Sequence, residues 1–127
     1  MSLLYKVISR LNPQNRAAAP KYYAEAVKRG SISFEEFLDA VCKDTTLNRD
    51  EVRMALNKAF RTILDFAKLG LTVHLDSLGH IRVTMRSKGM DTPEEVTATA
   101  VLDIVPHFVF SEAFRTELKN VRLEKQG

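Results

Sequence analysis

The most regular pattern of polar and apolar positions lies between Gly79 and Lys88, where the two kinds of residue alternate. Successive side chains of a strand point to opposite sides, so the alternation predicts a strand with one apolar and one cationic face. The apolar face holds Ile81, Val83 and Met85. The polar face holds His80, Arg82, Thr84, Arg86 and Lys88. Such a row of cations is a plausible way to hold a polyanion.

Two amphipathic helices are predicted before this strand. Ser33 and Glu36 have the spacing of a capping box, and the apolar residues that follow recur at helical spacing to about Lys43. Asn48 begins a second helix, which Gly70 closes. The apolar positions of this second helix are Val52, Leu56, Ala59, Phe60, Ile63, Leu64, Phe66 and Ala67.

The apolar arc of the second helix is wider than packing against one small partner requires. Two explanations remain open. One is a homodimer whose core includes Phe60, Ile63, Leu64 and Phe66. The other is a helix held between the sheet and the first helix of its own chain.

Further strands are predicted on both sides of this region. Residues 3–9 favour a strand, and residues 21–28 favour a strand over a helix. Another strand covers residues 71–75, and residues 88–95 form a polar loop. A long strand returns from about Val96 to Phe110, with Pro106 marking a bulge or a crossing to an edge. Ser111 then caps a short final helix, and residues 122–127 are expected to fray.

Length and composition indicate one small domain of 127 residues. The single cysteine, Cys42, excludes an intrachain disulfide and suits a reducing cytoplasm. Residues 3–8 are too short for a secretory core or a membrane span, so a cytoplasmic location without membrane contact is expected. The net charge is only +3, but residues 1–30 carry six cations against Glu25 alone. The amino-terminal end is therefore the electropositive one.

Catalytic and metal chemistry are not predicted. The three histidines, His74, His80 and His107, lack metal-ligand spacing with each other and with Cys42. Neighbouring glutamates such as Glu94 and Glu95 diverge along the chain, so they do not form a catalytic pair. No glycine-rich phosphate loop or nucleophile–base arrangement is visible. We therefore expect no enzyme, no cofactor, no metal and no small-molecule substrate.

The order of elements resembles that of the HU and integration host factor family, and most of all the histone-like, HU-related proteins common in the Bacteroidetes. The segments that carry this resemblance are Tyr5-Lys6-Val7, Asn12-Pro13, Pro20-Lys21-Tyr22-Tyr23-Ala24, Asn48-Arg49-x-x-Val52 and Pro93-Glu94-Glu95-Val96-Thr97-Ala98. Together they cover nearly the whole chain.

The resemblance implies an α+β fold, in which an intertwined dimer has a body of helical hairpins. An antiparallel sheet forms a saddle and extends a β-arm, and an extra amino-terminal β segment is present. The expected division is a basic extension packing on the core over residues 1–30, an HU-like domain over 31–122 and a tail over 123–127. The resemblance further implies a nucleoid protein that binds duplex DNA in the minor groove, largely without reading sequence, and bends it.

The DNA-binding residues expected from the resemblance and from the charge pattern fall in two groups. The first is Arg82, Arg86, Lys88, Pro93 and Ser111, and the second is Arg10, Arg16 and Lys21. Two departures from the family pattern bear on affinity: the arm tip is acidic at Glu94 and Glu95, and Glu112 follows Ser111. A diverged HU-like dimer that binds a protein partner, with weak or no DNA binding, is therefore the alternative function.

Overall fold

The computed structural model describes residues 1–15 and 17–127. Residues 1–32 and 117–127 form one compact unit, here called the terminal unit, and residues 33–116 form the central unit. The elements are β1 (Ser2–Arg10), β2 (Lys21–Ala26), α1 (Phe34–Cys42), α2 (Arg49–Lys68), β3 (Val73–His74), β4 (Gly79–Ser87), β5 (Val101–Phe110), α3 (Glu112–Lys119) and β6 (Arg122–Lys125). The α+β class predicted from the sequence is confirmed.

The terminal unit is built on a three-stranded sheet in the order β2-β1-β6. β2 pairs antiparallel with β1, and β6 pairs parallel with β1 through Ser2 opposite Arg122 and Tyr5 opposite Lys125. The expectation that the chain frays from residue 122 is therefore wrong for residues 122–125. The predicted domain boundaries and the packing of residues 1–30 on the core stay predictions.

The two helices of the central unit begin at the predicted caps. The Ser33 hydroxyl accepts a hydrogen bond from the Glu36 amide at 3.2 Å. The Asn48 side chain accepts one from the Glu51 amide at 2.8 Å. Each cap satisfies an amide that has no partner within the first turn of its helix.

An ion-pair cluster joins α1 to α2. The two terminal nitrogens of the Arg53 guanidinium, Nη1 and Nη2, donate to the Glu35 carboxylate at 2.5 Å. Arg49 donates to Asp39 at 2.9 Å. The hydrogen bonds from Arg53 hold the pKa of Glu35 below its ordinary value. This cluster connects the first two turns of α1 to the first two turns of α2.

The sheet of the central unit has the strand order β3-β4-β5. β4 pairs antiparallel with β5 from Gly79 opposite Phe110 to Ser87 opposite Val101, with one irregularity between Arg86 and Ser87. The sequence left a bulge or an edge position open for Pro106, and the bulge is wrong, because Pro106 lies in register opposite Val83. β5 is an edge strand of this sheet, which is where a proline is tolerated. β5 also begins five residues later than predicted, because residues 98–100 form a 3₁₀ turn.

Among the described residues, few apolar side chains are buried within one chain. They are Leu38, Val52 and Ala100. Large apolar side chains of α2 remain exposed, including Phe60 at 51% and Leu64 at 53%. The single chain therefore leaves much of its predicted core uncovered.

Gly79, where β4 begins, is the glycine that the fold depends on most. Its φ of +149° is rarely adopted by other residues, and an added Cβ would overlap the Val109 carbonyl and lie 2.9 Å from Phe110 Cα. Replacing Gly79 with alanine is expected to lower the free energy of unfolding by roughly 2–5 kcal/mol, measured by urea denaturation. Gly89→Ala is the control, since nothing lies within 4 Å of its added Cβ. Equal stabilities of the two variants would contradict this account.

Candidate nucleic-acid interface

The pairing of β4 with β5 decides which side chains share the polar face of the central sheet. Residues directly opposite each other in an antiparallel pair project to the same side. Arg82 lies opposite His107, and Arg86 lies opposite Asp103. On β3, His74 lies opposite His80. The described polar face therefore consists of His74, His80, Arg82, Thr84, Arg86, Asp103, Val105, His107 and Val109.

Arg82 and Arg86 are the exposed cations that this face presents. Among the residues that the structure describes, neither takes part in an ion pair. Asp103 is the one carboxylate directly opposite a cation of this face, and its side chain instead accepts from the Ile104 amide at 2.9 Å. Both guanidinium groups are therefore available to an external anion.

All three histidines of the chain lie on this face, and the sequence predicted this position only for His80. His107 Nε2 is 2.8 Å from Thr84 Oγ1, and the His74 and His80 rings have centroids 5.6 Å apart. The prediction needed the register between β4 and β5. The alternation within β5 places His107 on one face of that strand, but it does not show which residues of β4 lie beside it. Within residues 1–15 and 17–127, no three His, Cys, Asp or Glu side chains converge as metal ligands do.

Lys88 and Pro93 lie outside the strands. β4 ends at Ser87, so the predicted alternation does not extend to Lys88, whose amide donates to the Ala100 carbonyl at 2.9 Å. Pro93 begins a 3₁₀ turn that ends at Glu95, and all three residues of this turn are exposed. The loop that follows β4 in the sequence therefore contains three carboxylates, those of Asp91, Glu94 and Glu95.

Ser111 is placed by contacts with the turn before β4. Its hydroxyl donates to the Ser77 carbonyl at 2.5 Å and accepts from the Phe114 amide at 3.0 Å. Ser111 therefore caps α3, as predicted. Its role as a phosphate ligand stays a prediction, and its hydroxyl hydrogen is already donated within the chain.

Arg10 and Lys21 belong to the terminal unit, where they lie directly opposite each other on β1 and β2. The third cation of that predicted group, Arg16, lies outside the described residues. The structure thus brings together two subsets of the predicted site: Arg82 with Arg86, and Arg10 with Lys21.

An apolar groove runs between the last turns of α2 and the other face of the central sheet. Its volume is about 580 Å³, and its lining includes Leu64, Val83, Met85, Ile104 and Pro106. Leu64 belongs to the predicted dimer core, and Val83 and Met85 belong to the predicted apolar face of β4. The two faces of β4 thus differ as the alternation predicted.

Comparison with known families shows which family the chain belongs to. The family model described as an HU domain fused to a winged helix-turn-helix, an immunoglobulin-like or a glycine-rich motif matches residues 1–125. The chain belongs to this HU-HIG family. Membership confirms the HU-like identity inferred from the order of elements and from the short segments spread along the chain. Among curated protein sequences, none matches the chain.

Two solved structures share the fold of this HU-HIG chain. One is described as a candidate bacterial DNA-binding protein from Bacteroides vulgatus, with a TM-score of 0.71 and 16% identity over 99% of this chain. The chain spans 49% of that protein's length. The other is Anabaena HU in a cocrystal with DNA, with a TM-score of 0.55 and 21% identity over 70% of this chain and 99% of HU. Within the described residues, no helix is both long and apolar enough to cross a membrane.

Proposed function

We propose that this protein is a dimeric architectural DNA-binding protein of the nucleoid, which binds the minor groove of duplex DNA largely without sequence selectivity and bends it. The observation that carries the proposal is the pair of exposed, unpaired arginines, Arg82 and Arg86, on one face of an HU-like sheet. Arginine suits such a role because its planar guanidinium matches phosphate geometry and enters narrow minor grooves. The related Anabaena HU fold in a DNA cocrystal supports it further.

A homodimer is proposed because one chain exposes more surface to solvent than compact units of the same size would. The chain has an accessible surface of 11054 Å². Two separately compact units of these sizes would expose about 8,200 Å² in total. The excess, about 2,900 Å² for each chain, is at the upper end of the area that each partner loses in a large obligate interface. Exposed Phe60, Leu64 and Phe66 and half-buried Ile63 on α2 are the side chains that a second copy would cover.

The remaining predicted contacts are proposed for each unit separately. Lys88 adds a cation beyond β4, Pro93 is a candidate wedge between base pairs, and the amino terminus of α3 at Ser111 is a candidate phosphate contact. Arg10, Arg16 and Lys21 form a separate basic group in the amino-terminal segment. None of these contacts requires a particular base, which agrees with sequence-tolerant binding.

Reversing the charge at the acidic tip of the loop is expected to raise the affinity for duplex DNA. Glu94 and Glu95 are exposed, and their carboxylates would repel the DNA phosphates that the arginines of β4 attract. Replacing both with lysine is expected to tighten duplex binding, measured by fluorescence anisotropy, and to steepen its salt dependence. The control is Glu117→Lys with Glu124→Lys, which makes the same charge change in the terminal unit. Equal gains in both variants would show that only net charge matters and would contradict a role for the tip.

Bending is tested by energy transfer between dyes at the two ends of a short duplex. The proposal predicts that bound protein raises the transfer efficiency, and that unrelated duplex sequences respond alike. Binding without any change in transfer would contradict the architectural role. Absence of duplex binding by a folded dimer would favour the alternative, a protein-interaction module.

A further inference from the structure

A basic cavity lies at the end of the β1–β2 hairpin in the terminal unit. Its volume is about 390 Å³, within the range of small-molecule sites. The residues that line it are Arg10, Leu11, Asn12, Pro13, Ala18, Ala19, Lys21 and Tyr23. Among the described residues, this lining contains two cations and no carboxylate.

The two cations are placed as an anion site would require. Arg10 and Lys21 lie directly opposite each other on paired strands, an arrangement of like charges that is unfavourable without an anion between them. Among the described residues, neither forms an ion pair. Glu25, the carboxylate of β2, lies 3.9 Å from Lys6 instead. The positive charge at the cavity is therefore not compensated locally.

Tyr23 adds an aromatic surface to the same cavity. The Arg10 guanidinium lies 5.8 Å from the centre of the Tyr23 ring, so a cation–π contact orients the arginine. The ring stays 47% exposed. Leu11, Pro13 and two alanines supply apolar walls beside it. A ligand that combines a phosphate with a flat ring fits both halves of this lining.

We propose that this cavity binds one nucleotide of single-stranded nucleic acid, with the phosphate between Arg10 and Lys21 and the base against Tyr23. Stacking on an exposed tyrosine needs an unpaired base, whereas the polar face of the central sheet is proposed to hold duplex. This proposal rests on the proposed function in one respect, which is that the ligand is a nucleic acid. The cavity and the polar face of the central sheet share no residue, so the failure of one is distinguishable from the failure of the other.

The test titrates the full chain with a 5′-phosphorylated six-nucleotide oligodeoxythymidine and follows anisotropy of a dye on its 3′ end. Arg10→Ala with Lys21→Ala is expected to weaken binding about fivefold at 0.1 M salt, because the pair neutralises one phosphate and single strands have a salt slope of about −0.7 for each phosphate neutralised. Lys28→Ala with Arg29→Ala removes the same charge from the same unit outside the cavity lining, and little change is expected. Equal losses in the two double variants would overturn the proposal.

A second pair of variants tests the base contact. Tyr23→Leu is expected to weaken binding about 5- to 150-fold, the range measured for base stacking, and Tyr23→Phe to bind like the wild type. Tyr22→Leu is the matched control, because the adjacent strand position faces the other side of the sheet. Equal affinity for an abasic strand of the same length would overturn the stacking role.

Two further ligands separate this site from other modes of binding. Free thymidine monophosphate that competes fully at micromolar concentration would identify a mononucleotide site and overturn a strand site. Arg82→Ala with Arg86→Ala is expected to leave oligonucleotide binding unchanged while weakening duplex binding. Loss of oligonucleotide binding in that double variant would place the single strand on the central sheet and overturn the proposal.

Discussion

Replacing Phe60 with aspartate is expected to abolish the folded dimer at micromolar concentration. Phe60 is 51% exposed in a single chain, although its ring centroid lies 6.3 Å from that of Phe34. Covering such a side chain typically contributes about 1.5–3 kcal/mol, and placing a charge in the same apolar interface adds a larger penalty. Both effects occur twice in a homodimer. Light scattering gives the mass, and circular dichroism gives the helix content.

The matched control is Asn57→Asp, which puts the same side chain at an exposed polar position of α2. This control is expected to remain dimeric with nearly unchanged stability. A compact wild-type monomer of high stability, or a Phe60→Asp protein with the mass and stability of a wild-type dimer, would contradict the dimer proposal.

Removing both arginines of the polar face is expected to weaken duplex binding alike across sequences. At 0.1 M salt each neutralised phosphate contributes about eightfold to affinity relative to 1 M salt. Arg82→Ala with Arg86→Ala is therefore expected to weaken binding about 60-fold if two phosphates are no longer neutralised, and roughly 4,000-fold if this happens in both protomers. Anisotropy titration of two unrelated duplexes measures the loss of affinity.

The control for this loss of affinity is Lys58→Ala with Arg61→Ala. These exposed cations of α2 carry the same charge and lie off the polar face. Little change in affinity is expected for this variant. If deleting residues 1–20 abolished duplex binding while the Arg82 and Arg86 variant bound normally, the amino-terminal segment would be the DNA-binding region instead.

Local signals made much of the central unit predictable from the sequence. The caps at Ser33 and Asn48, the left-handed Gly70 and the alternation of β4 each depend on residues within a few positions of each other. The two faces of β4 were predictable for the same reason. The fold class followed from the order of these elements.

Pairings between distant residues were not predictable in the same way. β6 is a short polar segment that exists as a strand because it pairs with β1, more than a hundred residues earlier. The irregularity at Arg86 and Ser87 depends on the register with β5. That register also decides between the two predictions for Pro106, which lies in an edge strand and not at a bulge. The partners of the site residues, His107 beside Arg82 and Asp103 beside Arg86, likewise depend on that register.

The most direct test of the proposed interface is the salt dependence of duplex affinity for the wild-type protein and for the Arg82→Ala, Arg86→Ala variant. Phosphate binding predicts that log affinity falls linearly with log salt, with a slope of about −0.9 for each phosphate neutralised. The variant is predicted to have a slope shallower by about one for each phosphate that it no longer neutralises. A wild-type slope near zero, or identical slopes for the two proteins, would contradict the claim that this sheet face holds DNA.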